Sequence, residues 1–558
     1  MHVLKWINDN WRQMIKAYGI VAFVHVFWKL LRVTRRYVRM QKVIGKLPGP
    51  PIDITSSDIL KNLHRLHHYR EEQLCGHRGA PLVQTSNFEI EVVCNTPVTV
   101  KTLLKDSFED ITKPGGEEDH LFHVLAEFIG GEGIFTLRHG NSIPDQNAIW
   151  YDQRKISSKI FTRGNFNNLM YGTFASKANI LINNLKLVAE KNASCQENGV
   201  VDIQEKFFCF TFDSIQKIFF GRDVDSVADK EDPYAQAFDG AHRAMMRYHL
   251  ASIPPNVAAN LAPYPFGRLY AGARGWLTNP LFNIWRVMDP DYQDFQKHVA
   301  FLDRETEKLI SLTRSDPNCS KRGDLLANFL KSDPTISNKR LRDVILNFII
   351  AGRDTTACTL TWLFFELTQN QNVQKRLHEE IDATFQGRQP LLEDLTADGL
   401  PYLNGVFMEA LRLHPPVPEN LKFNQQDIVF PNGTTIPKGT RLVYSPYVMG
   451  RDETVYEDPL QFNPDRWIPF KQPTMFEFPV FQAGNRFCLG KDMATFETKF
   501  LVVKLLQQFS FELGPSEDPS HFIYALSITS SLCNSLDQTS HNLWIIPTLR
   551  NDIFGLPK

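Results

Sequence analysis

The strongest constraint on this 558-residue chain is the stretch FQAGNRFCLG at positions 481–490. It holds one cysteine, Cys488, between Gly484 and Gly490, and Arg486 comes two residues before the sulfur. The glycines let the backbone turn sharply and approach a flat ligand with no Cβ in the way. Neighbouring N–H groups and a cation favour a thiolate, so the setting suits a metal-bound sulfur. The alternative is a buried structural cysteine, which is the common state of an isolated thiol.

Composition limits the classes of protein that remain. The chain is 43% hydrophobic and 12% aromatic, which is enough for a large core, and no linker divides it. Its net charge of −1 gives no reason to expect a nucleic-acid partner. The eight cysteines are scattered without a C-x-x-C pair, which argues against zinc and a disulfide scaffold and fits a reducing compartment.

The N-terminal region predicts a membrane anchor. Residues 17–28 are apolar except for His25, and a helix over residues 14–31 would be about 27 Å long, just enough to span the hydrocarbon core. Lysines and arginines concentrate downstream of this run, which would leave the rest of the chain in the cytosol. We therefore expect an anchor with a basic flank over residues 1–46 and a main domain over 47–558, which begins at the stiff segment LPGPP. The helix could span the membrane or lie in its interface; a soluble amphipathic helix and a cleaved signal peptide are the alternatives.

A first candidate for anion binding lies in the stretch IWYDQRK, residues 149–155. Trp150 and Arg154 are separated by four residues on a predicted helix and therefore share a face. A ring N–H beside a guanidinium can hold a carboxylate. The alternative is an ordinary surface cation–π pair.

A second candidate interrupts the long apolar helix predicted over residues 341–367. The interruption is AGRDTT at 351–356, where a mid-helix glycine alone costs up to about 1 kcal/mol. Ala351 and Gly352 lie one turn before Thr355, so small residues are expected to leave room beside its hydroxyl. Asp354, next to that hydroxyl, could pass protons inward. The alternative is a hydroxyl bonded back to its own helix.

Two further motifs carry charge. EALR pairs Glu409 with Arg412 at a spacing of three, which is usually an exposed ion pair of little energetic value. FNPDRW at 462–467 supplies Arg466, and Lys422 stands ten residues after Arg412. Residues 427–443 predict a hairpin with turns at its glycines.

Taken in order, these motifs resemble the cytochrome P-450 family: a proline-rich hinge, W-x-x-x-R, A-G-x-D-T-T, E-x-x-R, and the loop F-x-x-G-x-R-x-C-x-G. The resemblance covers the chain from residue 47 to the end. It implies a mainly α fold with small β-sheets, preceded by the anchor helix. It also implies a haem cofactor whose iron is bound by the Cys488 thiolate. Ala351 stands where some fatty-acid hydroxylases of the family carry a glutamate that binds haem covalently, so non-covalent haem is expected.

The same resemblance implies roles for the other residues. Asp354 and Thr355 would deliver protons to bound dioxygen, and Glu409, Arg412 and Arg466 would hold the cysteine loop in place. Electrons would come from NADPH through an NADPH–cytochrome P-450 reductase, in the endoplasmic reticulum membrane with the catalytic domain facing the cytosol. The substrates would be dioxygen and a lipophilic small molecule. Haem would be bound, mainly at its propionates, by Trp150, Arg154, Lys422, Phe481, Arg486, Cys488 and Gly490.

Several stretches are similar to the branch that ω-hydroxylates long-chain fatty acids, namely residues 133–135, 150–155, 210–215, 346–356 and 417–422. Other lipophilic substrates remain open, including terpenoids, sterols and aromatic compounds. Two further alternatives are a haem-thiolate isomerase or dehydratase of hydroperoxides, against which Thr355 argues, and a non-catalytic haem-binding protein, against which the proton-delivery pair argues. Candidate partners for a substrate carboxylate lie in segments 105–145 and 243–270, among them Arg138, Arg243 and Arg247.

Overall fold

The computed structural model describes residues 38, 42–49, 62, 65–77, 80–87, 89–115, 119–193, 199–251, 288–515, 517–524, 529–533 and 541–550. Within these ranges, no helix has both the length and the apolar character needed to cross a bilayer. The predicted anchor run at 17–28 and most of the segment 243–270 lie outside the described residues. The first residues of that segment, 243–251, continue a helix to Ala251.

The described chain is mainly helical, as predicted. Its longer helices, in chain order, are α1 Leu66–Leu74, α2 His120–Ile129, α3 Pro144–Ser158, α4 Tyr171–Ala193, α5 Ile203–Phe220, α6 Pro233–Ala251, α7 Pro290–Ser315, α8 Leu325–Ser332, α9 Asn338–Ile349, α10 Thr355–Gln369, α11 Gln371–Phe385, α12 Pro401–Leu413 and α13 Lys491–Leu506.

The strands are short and form small sheets. They are β1 Val83–Asn87, β2 Glu89–Val93, β3 Ile111–Thr112, β4 Val201–Asp202, β5 Asn420–Asn424, β6 Ile428–Val429, β7 Thr435–Ile436, β8 Arg441–Tyr444, β9 Phe509–Leu513, β10 Ile523–Tyr524, β11 Leu532–Cys533 and β12 Trp544–Leu549. The largest sheet has the order β1-β2-β8-β5-β3, and a second has the order β4-β12-β9. The β6–β7 pair confirms the predicted hairpin.

Helix α5 lies at the centre of the helical core. Phe207, Phe210 and Phe212 are completely buried on it, because apolar residues occur on nearly every side of the helix. Phe208 is half-buried, and the guanidinium of Arg353 lies 4.7 Å from its ring centre. The helix therefore packs against the interrupted helix predicted from AGRDTT, which ends at Ile349 as α9 and resumes at Thr355 as α10.

The E-x-x-R pair is a buried junction and not a surface ion pair. Both oxygens of Glu409 accept from Arg412, at 2.8 and 2.6 Å, and Arg466 donates to the same carboxylate at 2.9 Å. The indole of Trp467 adds a bond of 2.8 Å. Arg412 also donates to the carbonyl oxygens of Gly450 and Pro459. This carboxylate therefore ties helix α12 to the segment that leads into the cysteine loop, as the resemblance implied.

Replacing Glu409 with Gln should lower the free energy of unfolding by about 3–5 kcal/mol, because it leaves the fully buried guanidinium of Arg412 and the largely buried one of Arg466 without their carboxylate. Chemical denaturation followed by circular dichroism measures this change. The matched control is Asp465→Asn, which removes an ion pair to Arg376 whose side chains are 51% and 50% exposed. The control should cost at most about 1 kcal/mol. Equal losses in the two variants would contradict the assignment of Glu409 as a buried junction.

Candidate functional site

The cysteine loop is a compact, internally bonded turn. The backbone N–H of Cys488 donates to the Phe481 carbonyl oxygen at 2.8 Å, and Phe487 donates to Gly484 at 3.1 Å. Gly484 has φ +61, and a Cβ there would lie 2.0 Å from the Leu104 carbonyl oxygen, so only glycine fits. Helix α13 begins immediately after Gly490.

The surroundings of the sulfur differ from the expectation in one respect. Burial raises the pKa of the Cys488 thiol, and the Gly490 N–H and the positive charge of Arg154 only partly oppose it. The protein groups alone therefore do not hold a thiolate, and a metal cation is needed to deprotonate the sulfur. A Cβ on Gly490 would lie 4.0 Å from the sulfur, so this glycine leaves space beside it.

A cluster of buried positive charges lies next to this loop. Arg486 and Lys422 are 8% and 2% exposed, and neither has a carboxylate partner within the described part of the chain. Lys113 donates from its ammonium to the Phe135 carbonyl oxygen at 2.6 Å. Burial and the charge of Arg486 lower the pKa of Lys422 to about 7, and burial lowers the pKa of Arg486 to about 9. The same two causes, together with Lys422, bring the pKa of Lys113 well below its ordinary value.

Lys113 and His139 are site residues that the sequence reasoning missed. Lys113 follows Thr112 directly, and Thr112 pairs with Phe423 across β3 and β5, next to Lys422. The Arg486 Nε donates to His139 Nδ1 at 2.9 Å. Burial and this cation lower the pKa of His139 to about 2, so the ring is neutral. No local sequence pattern signals either residue. Strand register brings Lys113 beside Lys422, and tertiary packing brings the loop residue His139 beside Arg486.

Trp150 and Arg154 lie at the same site, but they face different neighbours. The Trp150 ring is buried with the Arg486 guanidinium 4.4 Å from its centre, and its indole N–H has no protein acceptor among the described residues. Arg154 donates to the Phe487 carbonyl oxygen at 2.9 Å and therefore contacts the cysteine loop itself. The Arg154 guanidinium also lies 5.4 Å from the centre of the Trp150 ring, so the cation–π contact considered as the alternative is present. Trp150 is only 1% exposed, so the pair is not an ordinary surface pair.

The whole cluster fits a group that carries more than one negative charge. Among the described residues, Lys422, Arg486 and the partly buried Lys113 have no carboxylate partner, and the Trp150 indole N–H has no acceptor. Burying such charges is costly unless an anion is present. The Cys488 thiol belongs to the same loop as Arg486, and Gly490 places no side chain between the sulfur and the ring of Phe161. A metal-containing, dianionic ligand such as haem meets both requirements. Residues that could hold it are Trp150, Arg154, Lys422, Arg486, Cys488 and the newly found Lys113.

The interrupted helix differs from expectation at Gly352. Residues Ile350–Asp354 form one wide π-helical turn between α9 and α10. A Cβ on Gly352 would lie 2.2 Å from the Cδ1 of Ile215 on α5, so the glycine permits close packing of two helices. The expectation that Gly352 leaves room beside the Thr355 hydroxyl is therefore wrong. That hydroxyl donates to the Ala351 carbonyl oxygen at 2.5 Å, the back-bonded geometry considered as the alternative.

Asp354 is buried, and its carboxylate lies close to one arginine and one histidine. Its carboxylate accepts from Arg353 at 3.1 Å, and His242 on α6 lies 3.5 Å from its other oxygen. Arg353 also binds Asp239, through bonds of 2.6 and 2.8 Å, and Asp239 is partly exposed. The aspartate is thus linked to the surface through a fixed arginine.

The proposed carboxylate anchors for a substrate do not converge. Arg247 binds Asp291 and Asp294 at the surface, at 2.8 and 2.9 Å. Arg243 is exposed on α6. The backbone N–H of Arg138 donates to the side-chain oxygen of Gln146, which lies on α3. The described residues therefore single out none of the three.

Comparison with known proteins agrees with this geometry. Residues 92–531 match the family model described as Cytochrome P450. Cytochrome P450 704C1 of Pinus taeda is 28% identical over 537 residues, which cover 90% of this chain and 93% of that protein. Cytochrome P450 704B1 of Arabidopsis thaliana is 30% identical, with coverage of 82% and 88%. Cytochrome P450 94B1 of the same plant is 30% identical, with coverage of 80% and 82%.

Replacing Gly352 with Ala should destabilise the fold by about 1–3 kcal/mol, because the new methyl group overlaps Ile215 in a packed core. Replacing Ile215 with Val removes the contacted Cδ1 and alone costs about 0.5–1.5 kcal/mol. In the Gly352→Ala background the Ile215→Val change should cost less or become favourable. Urea denaturation of the four proteins measures this coupling, and strictly additive costs would contradict the contact.

Proposed function

Because the chain belongs to the cytochrome P450 family, we propose that this haem-thiolate monooxygenase hydroxylates the terminal carbon of long-chain fatty acids, with Cys488 as the axial ligand. Members of the family bind haem iron through a thiolate and receive electrons from a reductase, so the cofactor and reaction class follow from membership. The observation that carries the assignment of the site is the buried cation cluster without protein carboxylates beside the cysteine loop.

The residues proposed to contact haem have two roles. Lys422, Arg486 and Lys113 would neutralise the propionates, and the Trp150 N–H would donate to one of them. Arg154, Phe481 and Gly490 would keep the loop in the shape that presents the Cys488 sulfur. When bound, haem supplies the oxidising chemistry that inserts one oxygen atom of O2 into a C–H bond and releases the other as water.

Thr355 and Asp354 are proposed to supply protons to the reacting oxygen. The Thr355 hydroxyl lies in the first turn after a wide helical turn, where its donor bond to Ala351 can be exchanged for a ligand. Asp354 is adjacent, and its buried carboxylate is held by Arg353 in a fixed position. A hydroxyl backed by an acid can pass a proton and be reprotonated from behind.

The fatty-acid assignment rests on the motifs shared with that branch and on a simple energetic argument. About fourteen buried methylenes contribute on the order of 10 kcal/mol at about 0.8 kcal/mol each. This energy favours entry of the chain but changes little when the chain slides by one carbon. Selection of the terminal methyl over weaker C–H bonds therefore requires a narrow channel that admits only the chain tip. The alternative is that the same hydroxylation reaction acts on another lipophilic substrate, such as a terpenoid, a sterol or an aromatic compound.

The enzyme is also proposed to be bound to a membrane and to receive its electrons from a separate reductase. We infer that residues 1–46 anchor the enzyme in the endoplasmic reticulum membrane and that residues 47–558 form the catalytic domain on its cytosolic side. The partner would be NADPH–cytochrome P-450 reductase. The basic flank after residue 28 supports this orientation.

Lys422→Met should have opposite effects on the haem-free and haem-bound protein. Without haem, the variant should be more stable than wild type, because a buried charge without a partner has been removed. This gain should be full below pH 7, the folded pKa of Lys422, and vanish above its ordinary value of 10.5. With haem, the variant should lose the cofactor about tenfold faster to a competing haem acceptor, since a charge-assisted bond of about 1.5 kcal/mol is missing. An unchanged rate of haem loss would contradict the propionate role, and unchanged stability of the haem-free variant would contradict the burial of an unpaired charge.

Thr355→Ala should keep haem but divert electrons to hydrogen peroxide. Without the hydroxyl, proton delivery to the distal oxygen slows. Dioxygen that has gained two electrons then takes its two protons from water and departs as hydrogen peroxide, with the O–O bond intact. We expect product per NADPH to fall about tenfold or more, since a lost general acid typically costs at least that much. The control is Thr361→Ala on the same helix, whose hydroxyl is bonded to Ala357 and fully buried. Unchanged coupling in Thr355→Ala would count against proton delivery.

Incubation with lauric, palmitic and oleic acids, reductase and NADPH should give hydroxylation mainly at the terminal carbon. Mass spectrometry of the derivatised products locates the hydroxyl group. Mostly in-chain products would contradict the narrow channel. Efficient turnover of a terpenoid or aromatic compound, with no turnover of any fatty acid, would assign the enzyme to another substrate class.

A further inference from the structure

One residue of the cysteine loop has a backbone conformation that normally requires glycine. Gln482 has φ 62 and ψ −176, and a Cβ makes this combination unfavourable. The backbone alone would be satisfied better by glycine at this position. A side chain that performs a specific task is therefore expected here.

The Gln482 side chain is held at both ends of its amide. The hydroxyl of Tyr444 donates to Oε1 at 2.5 Å, and Nε2 donates to the side-chain oxygen of Asn420. Asn420 and Tyr444 face each other across the antiparallel strands β5 and β8. Tyr444 is completely buried, so its hydroxyl depends on this partner.

This contact lies at the point that fixes the cysteine backbone. Gln482 follows Phe481, whose carbonyl oxygen accepts from the Cys488 N–H. The positive φ at Gln482 then sends Ala483 into a buried apolar cluster, completely shielded from solvent. A rotation at Gln482 would move the acceptor of the Cys488 N–H and with it the sulfur.

The same strand also carries the cation cluster. Asn420 and Lys422 are two residues apart on β5 and therefore point to the same face. Lys422 interacts with Arg486, which belongs to the loop. Strand β5 thus contacts the cysteine loop at Gln482 through Asn420. It also places the positive charge of Lys422 near Arg486, which lies further along the same loop.

We propose that Gln482, Tyr444 and Asn420 form a latch that holds the cysteine loop on the sheet and keeps the sulfur in position to bind iron. The inference rests on the proposed function of Cys488 as the haem ligand. The three latch residues are positioning residues, since they act on the metal ligand through the backbone of the loop.

The test follows the red-shifted absorption band of the reduced, carbon-monoxide-bound protein over time, at temperatures below global unfolding. Tyr444→Phe and Gln482→Ala in the full-length, haem-loaded protein should lose this band about fivefold faster than wild type, the effect expected for one buried neutral hydrogen bond. In the Gln482→Ala background, Tyr444→Phe should have no further effect. Gln482→Gly should also lose the band faster, although it relieves the backbone strain.

Circular dichroism on the same samples separates the latch from general destabilisation. The matched control is Tyr402→Phe, because the buried Tyr402 hydroxyl has no hydrogen-bond partner in the part of the chain that the structure describes, and its removal should leave the rate unchanged. Equal rates in Tyr444→Phe and Tyr402→Phe, additive effects in the double variant, or band loss that follows unfolding in every variant would overturn the latch. A wild-type protein without the red-shifted band would overturn the proposed function, and the latch with it.

Discussion

The burial of positive charge without a protein counter-charge is the constraint on which the rest of the site depends. Burial is the main cause that lowers the pKa of Lys422, Arg486 and Lys113. The charge of Arg486 lowers the pKa of both lysines further, and Arg154 does the same to Arg486. A fold that keeps such a cluster must gain the opposing charge from a ligand. A flat, dianionic cofactor that contains a metal then explains three features together: the neutral His139, the Trp150 N–H and the space beside the Cys488 sulfur.

The five-stranded sheet positions the cations of this cluster and holds the cysteine loop beside them. Strand β5 carries Lys422, its register with β3 brings Lys113 alongside, and its pairing with β8 sets Asn420 opposite Tyr444. The buried carboxylate of Glu409 fixes the segment that enters the cysteine loop from the other direction. The loop is therefore held between a sheet and a helix junction, and the position of its sulfur does not depend on the loop alone.

The sequence predicted those features whose causes are local or lie within a recognisable motif. The break in the long helix followed from the small and polar residues at 351–356, and the buried Glu409 junction followed from the family resemblance. Gly352 was misinterpreted because its neighbour, Ile215, lies 137 positions earlier in the sequence and contacts it only after folding. Lys113, His139 and the side-chain contacts of Gln482 were missed for the same reason, since their partners are distant in sequence and meet them only in the folded chain. The substrate anchor stays a prediction, because a single exposed arginine carries no signal of what it binds.

The account is tested most directly by the absorption spectrum of the reduced protein with carbon monoxide. Three proteins should be compared: wild type, Cys488→His, and Cys94→Ala, in which a different and fully buried cysteine is changed. We predict the red-shifted band of a thiolate-bound haem in wild type and Cys94→Ala and its absence in Cys488→His, although that variant should still bind haem. Persistence of the band in Cys488→His, or its absence from wild type loaded with haem, would contradict the central claim.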